Sequence, residues 1–437
     1  MEQYQGKKIL VVGLGLQGGG VGIAKFFSEL GAKVTVTDKK TEKELASSLE
    51  ALKDYSITFR LGGHNMNDFL EADMIFKGPS VLWSAPEVVA AEKKGIPIEM
   101  ELSFFSENFP GRIIGVTGTR GKSTITRLLF DLLKQSGFPV LLGGGLPGIS
   151  TINYLKTLGK DDWIVMEISS WALSGFHRKK ISPHIAVFSN IYPDHLNYYK
   201  TMDDYLYDKK AVFMYQNEND FLIVNKSLLN IVSTSKSKIF PFDRYGFPSK
   251  LIYLKGDHNL ENAAAALQVA KILNIDEKKS IDFISSYKGL PYRQEIIGRK
   301  EDIIFVNDTT STTPIATIKA IDSFKDKKTV LILGGNSKNL PYEGLLAELN
   351  KVEKIVLLAG SFTNQIIDDL RASMSDKISL RIYDDLEEAV KEAYRIAREI
   401  NSTCILFSPA ATSFAMFNNE FHRGEEFNKI AKKIIKL

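Results

Sequence analysis

The sequence predicts an α/β protein of three domains, each built on a mostly parallel sheet, and three observations carry that prediction. At 437 residues the chain exceeds one ordinary domain, and two or three are expected. Strand-like apolar runs alternate with helix-length amphipathic segments in three successive blocks. Two glycine turns, at Gly13–Gly18 and Gly115–Gly121, each follow an apolar run and open a helical pattern. That is the strand–turn–helix junction of parallel layers.

In the first block, Lys8–Gly13 reads as a strand, Val21–Gly31 as a helix and Lys33–Thr37 as the next strand. Ala72–Phe76 and Ile96–Ile98 read as further strands. The segment Phe104–Arg112, with its Pro110-Gly111, is expected to link the first block to the second. The second block opens with the run Arg112–Val116. It continues with strand candidates Trp163–Ile168, His184–Ile191 and Phe221–Val224 and helices Asn259–Leu273 and Lys279–Tyr287. Gly289-Leu-Pro291 then interrupts the pattern. In the third block, Ile303–Val306, Thr329–Leu333, Lys354–Leu358 and Cys404–Phe407 read as strands. Leu386–Ile400 is an amphipathic helix, with Ala389, Val390, Ala393, Ile396 and Ala397 on one face, and Glu425–Ile435 closes the chain. The domain boundaries expected are 1–100, 101–289 and 290–437.

Composition narrows the class. The single cysteine, Cys404, lies in an apolar run and rules out both a disulfide framework and a thiolate metal cluster, which fits a reducing cytoplasm. No apolar run reaches the length of a membrane span, and Met1–Lys8 leads straight into a strand, so neither a membrane span nor a signal peptide is expected. A net charge of +4 suits anionic small substrates and gives no argument for nucleic acid.

The most informative stretch is Gly115-Val-Thr-Gly-Thr-Arg-Gly-Lys-Ser-Thr124. Between strand and helix, such a turn aims backbone N–H groups and a helix N-terminus at phosphate. Gly118, Thr119 and Gly121 would cradle it, Lys122 would reach the outer phosphates, and Ser123 or Thr124 would ligate Mg²⁺. Val116 stands where the strict phosphate-loop pattern has its first glycine. The chain is therefore expected to bind ATP or GTP. Gly13-Leu-Gly15-Leu16-Gln17-Gly18 is a second phosphate turn, and Asp38 follows at the end of the next strand, as in a Rossmann-like dinucleotide domain. Read alone, it fits an NAD-dependent oxidoreductase. A UDP-sugar, which also carries a diphosphate and a ribose, accommodates the second phosphate site better.

Further motifs follow in order: Glu167-Ile-Ser-Ser170, Asn190-Ile-Tyr-Pro-Asp-His195, Lys210, Leu254-Lys-Gly-Asp-His-Asn259, Gly289-Leu-Pro-Tyr-Arg-Gln-Glu295, Asn307-Asp308, Leu333-Gly-Gly-Asn-Ser-Lys338 and Ser408-Pro-Ala-Ala-Thr-Ser413. This ordered set resembles the Mur ligase family, over essentially the whole chain. The resemblance implies a Rossmann-like N-terminal domain for the UDP end of the substrate, a central P-loop ATPase domain and a Rossmann-like C-terminal domain for the incoming amino acid. It implies an ATP-dependent ligase of the cytoplasm, a monomer, joining glutamate to UDP-N-acetylmuramoyl-L-alanine through an acyl phosphate during peptidoglycan synthesis. D-glutamate is the expected amino acid, with L-glutamate or another amino acid as the alternative.

By the same resemblance, Lys122, Glu167, His195 and Lys210 carry catalysis. Ser123, Glu167, His195 and a carbamylated Lys210 hold two Mg²⁺ ions, with Lys209 as the competing assignment for the carbamate. Asn259, Arg293 and Asp308 join the ATP site; Gly15, Leu16, Gln17, Asp38 and Lys39 hold the UDP moiety; Thr312, Lys338 and Ser413 hold the amino acid. The chain departs from the family's pattern at Thr310, where a lysine is usual, at Tyr292 for histidine, at Gly145 for asparagine, and at Gly78-Pro-Ser80. Lys39-Lys40 and Asn419–Arg423 also differ. Losing a lysine opposite a dicarboxylate calls for another cation or lowers affinity.

Overall fold

The computed structural model describes residues 2–436 apart from 16, 17, 146–148, 195–197, 255, 339, 414–416 and 418. The first sheet contains β1 (Lys8–Val12), β2 (Lys33–Asp38), β3 (Ile57–Leu61), β4 (Met74–Lys77) and β5 (Ile98–Glu99), in the order β3-β2-β1-β4-β5 and parallel throughout. The second contains β6 (Arg112–Thr117), β7 (Val140–Gly144), β8 (Trp163–Glu167), β9 (Ile185–Phe188), β10 (Phe221–Asn225) and β11 (Lys238–Phe242), also all parallel, ordered β11-β10-β9-β6-β8-β7. The third contains β12 (Glu295–Lys300), β13 (Ile303–Asn307), β14 (Thr329–Gly334), β15 (Lys354–Leu358), β16 (Ile378–Tyr383) and β17 (Cys404–Phe407). Its order is β12-β13-β17-β14-β15-β16, and the edge strand β12 alone runs antiparallel.

Helices cover both faces of these sheets, so the central strands are buried on both sides and read as unbroken apolar runs. Ile113, Ile114 and Val116 of β6 and all four residues of β9 are buried. The amphipathic helices turn one stripe to the sheet, as Ile125, Leu128, Leu129, Leu132 and Leu133 do in the Lys122–Gln135 helix.

Strand order fixes where ligands go. In the first sheet the chain winds outward through β2 and β3, then returns to the other side of β1 with β4. In the second, β6 sits between β8 and β9. Crevices open at the carboxyl ends of strands where the winding reverses. Both glycine turns lie at such points, one after β1 and one after β6.

The segment expected to link the first two blocks, Phe104–Arg112, begins inside a helix, Glu101–Asn108, with Leu102, Phe104 and Phe105 buried. Pro110-Gly111 ends that helix and does not erase it, because the apolar residues before it have a core to face. Strands β3, β7, β11, β12 and β16 were not among those read from the sequence. The chain divides into two compact units, Met1–Ser249 with His258–Ile284, and Lys250–Asp257 with Ser285–Leu437. Among the described residues no helix is long and apolar enough to cross a membrane.

Candidate active site

The phosphate loop takes its shape from neighbours that only glycine permits. Gly121 caps the Lys122–Gln135 helix in the left-handed region (φ +81°), and a Cβ there would lie 2.5 Å from Asn262 Oδ1. A Cβ on Gly118 would lie 1.9 Å from Ser189 Oγ. The loop is then tied to the end of β9. Asn190 Oδ1 accepts from the Arg120 N–H (2.9 Å), Ser189 Oγ donates to Arg120 O (2.8 Å), and the Tyr192 N–H donates to Thr119 Oγ1 (3.0 Å). The Lys122 ammonium donates back to Thr119 O at 3.2 Å. The second turn of the Asp257–Ile272 helix lies against Gly121 through Asn262, whose Nδ2 donates to Asn259 Oδ1 (3.1 Å). Asn259 is thus tied to the residue that lies against the loop.

Glu167 ends β8 beside this loop. Its Oε2 is buried with no hydrogen-bond partner among the described residues, an arrangement that costs free energy unless a cation completes it. No cluster of three or more His, Cys, Asp or Glu gathers among the described residues. A lone carboxylate with hydroxyls at Ser123 and Thr124 suits Mg²⁺, which keeps water and phosphate oxygens as ligands and takes few from protein. Glycines again allow the approach: the Gly145 N–H donates to Glu167 O (2.9 Å), and a Cβ on Gly144 would lie 2.1 Å from that oxygen. His195, Leu16 and Gln17 lie outside the described residues.

The lysine expectation is corrected by one position. Lys209, not Lys210, reaches the loop: its Nζ donates to Gly118 O at 2.8 Å, and the side chain is 1% exposed. Lys210 is only half-buried. The reason is helical phase. Tyr205 and Lys209 stand one turn apart on the buried face of the Met202–Lys210 helix, and the next residue is rotated off it. Burial, with the Lys122 charge added, draws the Lys209 ammonium well below the usual lysine range, against the pull of Asp194 and Glu167.

Around the first glycine turn, Asp38 braces the protein itself. Its Oδ2 accepts from the N–H groups of Leu14 (2.9 Å) and Gly15 (3.3 Å), and Oδ1 from that of Lys40 (2.9 Å). The carboxylate that the spacing singled out thus shapes this turn from within. Lys39 is exposed just beyond it. At the end of β4, Lys77 is 1% exposed. Its Nζ donates to Val81 O (2.9 Å) and lies 4.4 Å from the Trp83 ring centroid. Arg178 lies 4.3 Å from the same ring, whose Nε1 donates to Ser174 Oγ (2.8 Å). The 78–83 loop of the first sheet is thereby fastened to the Ser170–Lys179 helix that follows Glu167.

The second unit holds the other expected residues. Asp308, at the end of β13, is 1% exposed and accepts from Gln294 N (3.1 Å) and Ser408 Oγ (2.7 Å); burial pushes its carboxyl up to about 6. Arg293 is exposed within a turn in which Tyr292 (φ +65°) and Gln294 (φ +49°) are both left-handed. The Tyr292 ring covers Gly424, where a Cβ would lie 2.6 Å from it. Lys338 Nζ donates to Thr312 Oγ1 (2.8 Å), which joins two of the amino-acid residues, and Ser413 Oγ is buried with no partner among the described residues. Arg423, close to Ser413, was not read from the sequence as a site residue. A basic residue followed by Gly424 inside the last helix was the available signal.

Comparison with known proteins agrees with this geometry. Residues 7–99 match the Mur ligase MurD-like N-terminal domain, 116–250 the Mur ligase middle domain and 292–411 the Mur ligase glutamate ligase domain. Among curated proteins, the UDP-N-acetylmuramoylalanine–D-glutamate ligase of Borreliella burgdorferi (strain ZS7) is 33% identical over 99% of both chains. The enzyme of the same name from Roseiflexus sp. (strain RS-1) is 34% identical over 98% of this chain and 99% of its own. The fold is shared with UDP-N-acetylmuramate-alanine ligase MurC of Thermotoga maritima (TM-score 0.59, 19% identity, 98% of this chain and 100% of that one). It is shared too with MurF ligase of Thermotoga maritima (TM-score 0.59, 18% identity, 92% and 95%). The chain belongs to the Mur ligase family, alongside the UDP-N-acetylmuramoylalanine–D-glutamate ligases.

Proposed function

We propose that this chain is an ATP-dependent, ADP-forming ligase that adds D-glutamate to UDP-N-acetylmuramoyl-L-alanine in the cytoplasm, where ATP and the nucleotide-linked precursor meet. The observation that carries the reading is the full-length match to relatives of that name at 33–34% identity. The phosphate loop, with Gly118 and Gly121 held in conformations and spaces that exclude a side chain, supports the ATP half of it. An oxidoreductase has no comparable support.

Residues 1–100, 101–289 and 290–437 serve as the substrate, ATP and amino-acid domains. The alanyl carboxylate oxygen attacks the γ-phosphorus, the bond to the β-phosphate oxygen breaks, and ADP leaves. The glutamate nitrogen then attacks the acyl phosphate carbon, phosphate departs and the ammonium proton is lost to water. Lys122 holds the β- and γ-phosphates and offsets charge as it moves to ADP. Thr119 and the loop N–H groups orient the triphosphate, Asn259 sits by the base, and Arg293 and Asp308 also serve the nucleotide. Glu167 and Ser123, with Thr124 beside it and His195, hold Mg²⁺, two ions in all, which neutralises phosphate charge when bound. Lys209, in place of Lys210, is the amine that takes up CO₂ as a carbamate; its burial at Gly118 favours the neutral form this needs. Thr312, Lys338 and Ser413 receive the amino acid.

The test is phosphate release from Mg²⁺-ATP with UDP-N-acetylmuramoyl-L-alanine and either D- or L-glutamate. Release that requires all three components and the D-isomer supports the proposal. Release indifferent to the amino acid, or undiminished in Lys122→Ala, overturns it.

A further inference from the structure

The loops at the carboxyl edge of the third sheet hold two cations, Arg423 and Lys338, with Glu420 as the acidic group that acts on both. Arg423, in the first turn of the Glu420–Lys436 helix, is 1% exposed. Its Nε donates to Thr309 Oγ1 (2.8 Å) and its Nη2 to Thr309 O (2.8 Å) and Ala411 O (3.1 Å). All three acceptors are neutral, and among the described residues no ion pair joins this guanidinium to a carboxylate. Its Nη1 lies 3.5 Å from the place a Cβ would take on Gly335. Lys338 is the second cation. Partial burial and the Arg423 charge draw it below the usual lysine range, while Glu420 pulls it and Arg423 the other way.

Ser413 and Arg423 line one small cavity with Gly334, Gly335 and Thr412. The Ser413 hydroxyl is buried there with no partner among the described residues. A buried donor left unbonded and a buried cation bonded only to neutral oxygens are both costly. One group relieves both: an anion whose oxygens accept from the Arg423 Nη1, the one guanidinium nitrogen not donating to a neutral oxygen here, and from the Ser413 hydroxyl. Thr310, where the resemblance leads one to expect a lysine, is neutral and donates its hydroxyl to Tyr292 O (3.0 Å).

We propose that Arg423, with Ser413, binds one carboxylate of the incoming amino acid and supplies the charge that position 310 lacks, leaving the other carboxylate to Lys338. This rests on the ligase reading above.

The experiment uses the full chain with Mg²⁺-ATP and UDP-N-acetylmuramoyl-L-alanine, and compares D-glutamate with D-glutamine. For Arg423→Met the KM for glutamate is expected to rise about 10- to 100-fold, the worth of a charge-assisted contact. The KM values for ATP and the UDP substrate stay within about twofold, and the preference for glutamate over glutamine falls in step. Adding Thr310→Lys restores much of the glutamate KM. Should Arg423→Met fail to fold, Ser413→Ala and Arg423→Lys decide, each expected to raise the glutamate KM alone. An unchanged glutamate KM in these variants overturns the proposal, as does an equal rise in all three KM values, which marks a purely structural arginine. A wild-type chain that turns over with no glutamate removes the ligase reading itself, and the proposal with it.

Discussion

Lys77 gives a prediction whose size follows from its surroundings. Its ammonium is buried against Trp83 and two carbonyls, and burial, with the nearby Arg178 charge, lowers its pKa to about 7 against the attraction of Asp208. In the unfolded chain the same amine titrates at about 10.4. Between those values the unfolded state binds the extra proton, so stability rises with pH, by about 1.4 kcal/mol per unit once pH clears 7. The penalty for burying the ammonium is fully present below pH 7 and fades toward pH 10. From pH 7 to pH 9 the contribution changes by about 2 kcal/mol. Asp208 is pushed up to about 6, largely by burial and against the pull of Lys77, so in the wild type it is mostly charged across this window. Lys77→Met removes the titration. The unfolding free energy of the wild type, minus that of the variant, is therefore expected to rise by about 2 kcal/mol between pH 7 and 9. Urea titration followed by tryptophan fluorescence reads it cleanly, because Trp83, Trp163 and Trp171 are the only tryptophans and all lie in the first compact unit. Parallel profiles for the two proteins would refute the reasoning.

Other expectations concern the site. Lys209→Met should reduce phosphate release by about 100-fold or more, the scale of losing one charge-stabilising group, while Lys210→Met stays near wild type; the reverse order in a parallel assay would reinstate the neighbour. Gly121→Ala forces a Cβ toward Asn262 in a left-handed residue, a cost of about 1–2 kcal/mol, so the KM for ATP should rise about tenfold in initial-rate measurements. Asp38→Ala releases the N–H groups of Leu14, Gly15 and Lys40. The KM for the UDP substrate should rise about five- to tenfold, with the KM for ATP unmoved.

The two glycine turns were legible because glycine spacing, a preceding apolar run and a following amphipathic segment all point to one geometry. Central strands such as β6, β9 and β17 were legible for the same reason: burial on both faces leaves no polar alternation to misread. Edge strands were harder. β11 has mostly exposed or half-exposed residues, and β7 ends in Gly143-Gly144, a pair that looks like a turn until Glu167 is seen pressed against it. The Glu101–Asn108 helix was hidden by the Pro-Gly pair that follows it. The choice between Lys209 and Lys210 could not be made by counting from His195, since one residue changes the helical face by about 100°. The buried Tyr205 one turn earlier carried the phase. Asp38 and Arg423 act through backbone N–H and C=O groups brought from distant parts of the chain, and no local pattern announces that.

The brace at Asp38 also bears on affinity. A loop of three glycines is ordinarily floppy, and a ligand that must first arrange it loses part of its binding free energy to that ordering. Here one carboxylate gathers the amides of Leu14, Gly15 and Lys40 while the chain folds, so the start of the turn is shaped before any ligand arrives. The entropy is surrendered once, during folding, and each later encounter is spared it.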